Sequence, residues 1–71
     1  MATNVVAHIT GTVWQVQKNV GDKVEEGDVV VILESMKMEM PVEAPEAGRV
    51  ASIQVEKGQS VEEGEVLLTL D

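Results

Sequence analysis

Residues 1–34 can be laid over residues 38–71 with a constant offset of 37 and no gap. Val5 then meets Val42, Ala7 meets Ala44, Gly11 meets Gly48, Val13 meets Val50, Gln17 meets Gln54 and Gly21 meets Gly58. The run Val24-Glu25-Glu26-Gly27 meets Val61-Glu62-Glu63-Gly64, Val29 meets Val66 and Leu33 meets Leu70. Further pairs are conservative: Val16 with Ile53, Asp28 with Glu65, Glu34 with Asp71. A repeat this regular in a chain of 71 residues permits few architectures. Neither half is large enough to bury its own apolar side chains, so the two must pack together, and a pseudo-twofold axis is expected. The chain reads as a single domain, 1–71, with halves 1–34 and 38–71 and a junction at 35–37. By symmetry that junction belongs at one end of the molecule and both chain termini at the other.

The repeat is built for strands. Fourteen Val, three Ile and four Leu stand against a single aromatic, Trp14. Branched aliphatics fit a pleated surface, and helical periodicity is absent. The pattern predicts strands near 3–9, 12–18, 28–34, 38–43, 49–55 and 65–71, with short extended pieces at 23–24 and 60–61. Val29 to Leu33 is continuously apolar, as suits a strand in a closed barrel or buried sandwich. Gly21 and Gly27, like Gly58 and Gly64, bracket loops suited to positive φ. Val24 and Val61 are the single apolar residues within those loops and are expected to plug the core. Their acidic pairs and the lack of a following helix start argue against a phosphate-cradling role for the loops, and a mainly structural one is expected. Pro41 and Pro45 are expected at strand ends or edges, where a missing N–H is tolerated.

Composition removes several function classes. The net charge of −8 opposes binding to nucleic acid or to anionic membrane surfaces. There is no Cys, and His8 is the only His, so disulfides and a Cys or His metal cluster are unsupplied, and serine–histidine or cysteine–histidine catalysis is poorly supplied. No apolar run is long enough to span a membrane, and no basic segment precedes an apolar stretch at the start. A cytoplasmic protein without signal peptide is expected.

The junction carries the chemistry. An apolar strand runs up to Glu34, and a second extended segment begins by Met38. The connection between them is short enough to be a hairpin with Met36 and Lys37 at its tip. Asn-Gly or Asp-Gly would suit such a turn. Met and Lys in their place point to a requirement other than folding. Read from the residues alone, the lysine is either a solvated surface charge or a functional amine. Likewise the neighbouring methionines are either gap fillers or part of the site.

Glu34-Ser35-Met36-Lys37-Met38-Glu39 resembles the Glu-Ala-Met-Lys-Met signature of biotinyl acceptor domains in the biotin/lipoyl attachment family. The resemblance covers the whole chain. Gly11-Thr12-Val13, Gly21 to Gly27, the Met-Lys-Met tip, Ala44-Pro45, Gly48, Gly58 and Val61 to Gly64 all fall in family order. It implies an all-β flattened barrel of two four-stranded antiparallel sheets with quasi-twofold symmetry. It also implies that Lys37 is the covalent attachment site for biotin, that Met36 and Met38 flank it for use by carboxylase partners, and that Glu34 helps a biotin protein ligase recognise its target. Ser35 replaces the usual Ala, and His8 stands where many relatives have Pro; both read as neutral. The gapless repeat leaves no room for the protruding insertion of some carboxylase carriers, so a stand-alone acceptor module is expected.

The implied function is that of a carrier rather than an enzyme. The Lys37 amine would attack an activated acyl group held by the ligase, and the sequence offers no buried pocket to tune that amine, so activation falls to the ligase. The loaded arm would then serve biotin carboxylase and carboxyltransferase components. Two alternatives remain open. Lipoyl domains share the fold and the tip lysine, so a lipoate ligase acting on Lys37, alone or in addition, is one; that family usually shows Asp-Lys-Ala at the tip. The other is an unmodified β interaction module. Intact mass after exposure to each ligase separates them.

Overall fold

The computed structural model describes residues 2–71. It contains eight strands: β1 (Thr3–Val6), β2 (Gly11–Val16), β3 (Lys23–Val24), β4 (Val29–Ser35), β5 (Met38–Glu43), β6 (Gly48–Ile53), β7 (Ser60–Val61) and β8 (Val66–Leu70). They form two four-stranded sheets, ordered β1-β8-β6-β3 and β5-β4-β2-β7, with antiparallel pairing throughout. This is the all-β, two-sheet barrel expected. No helix among the described residues is long and apolar enough to cross a membrane.

Each sheet takes two strands from each half of the chain. β4 lies between β2 of its own half and β5 of the other, and β8 lies between β6 and β1 in the same way. The registers coincide under the offset of the repeat. Leu33 faces Met40 and Val31 faces Val42, while Leu70 faces Thr3 and Leu68 faces Val5. Val13 faces Leu33 as Val50 faces Leu70. Even the irregularities match: Trp14 and Ala51 are the extra residues of equivalent β-bulges, and so are Val30 and Leu67.

The bulge at Val30 explains the unbroken apolar run. In a regular strand, alternate side chains would leave the core. An extra residue resets the alternation, so Val30, Val31 and Leu33 are all buried while Val29 and Ile32 are half-buried. The core pairs off across the pseudo-axis: Val5 with Val42, Val13 with Val50, Val24 with Val61, Val31 with Leu68, Leu33 with Leu70. Val55 is the exception, because its counterpart is the half-buried Lys18. Val24 and Val61 do plug the core, from two-residue strands rather than from loops.

Three strands end earlier than their apolar pattern: β1 at Val6, β2 at Val16 and β6 at Ile53. Beyond those points the chain still bonds to backbone on its way to the other sheet. The Ala7 N–H donates to the Glu65 carbonyl, Gln17 to Val30 and Gln54 to Leu67. The loops are closed by acids that accept from a backbone N–H three residues back, Asp28 from Glu25 and Asp22 from Asn19. Gly21, Gly27, Gly58 and Gly64 all have φ between 89° and 96°. A branched side chain is a steric outlier there, whereas Met36 is 92% exposed. Gly27→Val should therefore cost about 1 kcal/mol or more, and Met36→Ala less than about 0.5 kcal/mol. Urea titration of the two variants checks this, and equal losses would contradict it.

Candidate functional site

The last rung of the β4–β5 ladder is Ser35 opposite Met38. Two residues are left for the turn, Met36 and Lys37, at φ 53° and 65°. Both are left-handed, and they are the non-glycine residues of the described chain with positive φ. This is the two-residue hairpin whose twist matches its strands, and it ordinarily takes Asn-Gly. A non-glycine residue held in that region costs about 1 kcal/mol or more. The surrounding frame bears it: just below the turn Leu33, Val31 and Val42 are buried, and β2 holds β4 from the other side.

At the other end of the molecule the equivalent strands, β8 and β1, pair in the same register with no turn between them. The hairpin turn is thus not what sets the register. The molecule measures 33 × 18 × 18 Å, and Leu70, the counterpart of Leu33, pairs with Thr3. The N-terminal Met1 lies outside the described residues.

Side chains at the tip point away from the core. Met36 is 92% exposed, Met38 is 60% exposed, and Lys37 is exposed between them. The reading of these methionines as gap fillers is thereby removed. Glu34 is half-buried and stands directly opposite the exposed Glu39. The start of β2 closes on this stem at a glycine: a Cβ on Gly11 would lie 2.5 Å from the Glu34 carbonyl oxygen. The mirror contact, Gly48 against the Asp71 carbonyl oxygen, would be 2.9 Å. Both glycines are there for close approach.

All four residues singled out in the sequence, Glu34, Met36, Lys37 and Met38, thus lie on one hairpin. Sequence reasoning missed Glu39 as the partner of Glu34, the close approach at Gly11, and Trp14, which the bulge turns outward to 40% exposure. The first was within reach, since a two-residue turn at Met36-Lys37 fixes every opposing pair below it.

Among the described residues no three His, Cys, Asp or Glu stand close enough to hold a metal ion. His8 sits in an open groove of about 390 Å³ between β1 and β5, lined also by Asn4, Val5, Val6, Pro41, Val42, Glu43 and Pro45. That lining contains no nucleophile for His8 to activate. The fold and the site together define a carrier-type domain: a closed apolar core, and one primary amine displayed at its end.

The family model described as "Biotin-requiring enzyme" matches residues 1–70. The chain belongs to the biotin/lipoyl attachment family. It is 57% identical over 44 residues to biotinylated protein TB7.3 of Mycobacterium tuberculosis, covering 62% of this chain and 62% of that protein. It is 46% identical over 46 residues to the biotin/lipoyl attachment protein of Bacillus subtilis, covering 65% and 63%. The matched stretches thus span somewhat less than two thirds of these relatives. Among solved structures, Kluyveromyces lactis urea carboxylase matches all of this chain with TM-score 0.94 and 38% identity over 6% of its own length.

Family membership implies an acylated lysine, and the tip fits that group. The amine needs to be primary, exposed and approachable from outside the fold, and Lys37 meets each condition. If turn strain is accepted for the sake of that amine, removing it should stabilise the domain. Met36→Asn with Lys37→Gly, the favoured type I′ pair, should raise stability by about 1 kcal/mol or more. Urea midpoints at unchanged slope report it; a midpoint equal to the wild type would mean that the turn is relaxed.

Proposed function

We propose that this domain is a biotin acceptor and carboxyl carrier, modified by a biotin protein ligase on Lys37. The observation that carries the reading is the turn itself. A lysine occupies a left-handed, fully displayed position at the one place where the frame does not depend on what residue is present. The relatives named biotinylated protein support biotin as the group attached.

The chemistry of the domain is one amide bond. The Lys37 Nζ, as the neutral amine, attacks the activated acyl carbon held by the ligase, the C–N bond forms, the bond to the activating group breaks and that group leaves, and one proton of the amine passes to ligase or solvent while the other stays as the amide N–H. The domain's part is position. Met36 and Met38 leave the amine in an apolar, flexible surround, and Glu34 gives the ligase a fixed negative charge beside it. When bound, the cofactor supplies carboxyl-carrying chemistry that no side chain here provides.

The partners of the loaded domain are a biotin carboxylase and a carboxyltransferase. The alpha subunit of rat methylcrotonoyl-CoA carboxylase, 40% identical over 45 residues, supports that class of partner. The cytoplasm is the compartment proposed for the domain, and the net charge of −8 disfavours nucleic acid and anionic membrane surfaces. Lipoate on the same lysine is the second reading, supported by the likeness to a protein named biotin/lipoyl attachment protein.

Exposure to biotin ligase, biotin and ATP should add one biotinyl group, and peptide mapping should find it on Lys37. Lys37→Arg should abolish labelling with the fold intact, because Arg keeps the charge but lacks a primary amine. Label on Lys18, Lys23 or Lys57 refutes the assignment. A mass increase with lipoate ligase alone establishes the second reading instead.

A further inference from the structure

Met36 and Lys37 are held at φ 53° and 65°, a region that non-glycine residues occupy at a cost. Straightening them into extended backbone would remove that cost and part the two halves of the chain. Neither half covers its core alone, so a single copy cannot use this escape. Two copies can. Each sheet takes two strands from each half, and residues 35–37 are the only covalent link between the halves. The first half of one copy can therefore pack on the second half of another, twice over, with every contact between halves kept.

The register suits such an exchange. Val31, Ile32, Leu33, Glu34 and Ser35 face Val42, Pro41, Met40, Glu39 and Met38 in one unbroken ladder. With Met36 and Lys37 extended, β4 and β5 of each copy become one strand, and the ladder runs on without a bulge. Met36 of either copy falls opposite Lys37 of the other, and the rungs of the second body follow. Side chains alternate along a strand, so Lys37 shares a face with Glu39 two residues on and lies diagonal to Glu34 of the other copy. Long side chains interact across that diagonal. In the single copy Glu34 stands directly opposite Glu39, a like-charge pair that weakens a sheet. Exchange thus relaxes the turn and brings a cation beside the acid pair.

We propose that this chain dimerises with a second copy of itself by exchanging halves about Met36–Lys37, which serve as the hinge. Short strained connections are where such exchange arises. A net charge of −8 on each copy opposes association, so the dimer belongs to high protein concentration. Because the halves interleave, passage between the forms goes through unfolding, and each form persists once made. One consequence rests on the reading of Lys37 as the acceptor. The exchanged form carries that lysine within a ribbon between two bodies rather than at a turn, and so withdraws it from modification.

Refolding from urea tests the exchange. Wild type refolded at about 1 mM should yield a dimer fraction by size-exclusion chromatography with light scattering, and at about 1 μM only monomer. The isolated dimer should stay dimeric on dilution. Prepared from mixed isotope-labelled and unlabelled chains, it should show NOEs between Met36 of one copy and Lys37 of the other. Met36→Asn with Lys37→Gly relaxes the hairpin and should lower the dimer fraction about tenfold or more. Glu34→Gln with Glu39→Gln should lower it too, whereas generic association of acidic copies would rise. Deleting both Met36 and Lys37 leaves the ladder in register but no residues for a turn, so that variant should be dimeric wherever it folds. Monomer alone from wild type at about 1 mM overturns the proposal, as do a dimer that dissociates on dilution, equal dimer fractions for wild type and the Asn-Gly variant, or a folded monomeric deletion variant. If the deletion variant does not fold, wild type and the Asn-Gly variant decide. Labelling of the isolated dimer by biotin ligase at the monomer's rate overturns the consequence for Lys37, and failure of the monomer to be labelled refutes the reading of Lys37 rather than the exchange.

Discussion

β4 and β8 each lie between a strand of their own half and a strand of the other, so Leu33 and Leu70 are buried only when both halves are in place. Residues of this size contribute about 1.5–3 kcal/mol each when fully buried, and neither half alone can cover them. Everything distinctive about the molecule follows from that interleaving. Registers are set by side chains that meet across the pseudo-axis, not by the turns that join the strands. The open end shows it, where β8 and β1 pair in the register of β4 and β5 without being connected there.

A frame that does not need its turn leaves the turn available for another purpose. Met36 and Lys37 sit in a conformation that glycine or asparagine would occupy with less strain. The frame can bear this because the adjoining strands are held from both sides. Gly11 adds to the hold by letting the backbone of β2 meet the Glu34 carbonyl. The proposed attachment lysine is thus carried on a short, strained turn at the end of a rigid body. On the proposed function, positional definition at the base of a flexible arm would distinguish Lys37 from Lys18, Lys23 and Lys57.

Much of this was legible in the residues. The offset between Gly11 and Gly48, or between Val24 and Val61, identifies equivalent positions, and the alternation around them identifies strands. The break in the repeat at Ser35 to Lys37 marks the tip. What the repeat cannot express is pairing: equivalence of Val5 and Val42 does not say that β1 pairs with β8 rather than with β2. Bulges are equally silent, because an extra residue in one strand is defined only by its neighbour. For that reason the sequence does not place Trp14, the extra residue of a bulge and 40% exposed, and it shows Val30 and Val31 as part of a run rather than as two inward side chains.

The central claim is that the frame holds Met36 and Lys37 in a defined left-handed turn. Intraresidue amide-to-Hα NOE intensities in the folded domain test it most directly, because positive φ brings those two protons together. The account predicts that Met36 and Lys37 give the strongest such NOEs of all non-glycine residues, at the level of Gly27 and Gly64. Intensities at Met36 and Lys37 no stronger than those of ordinary strand residues such as Val31 would contradict it.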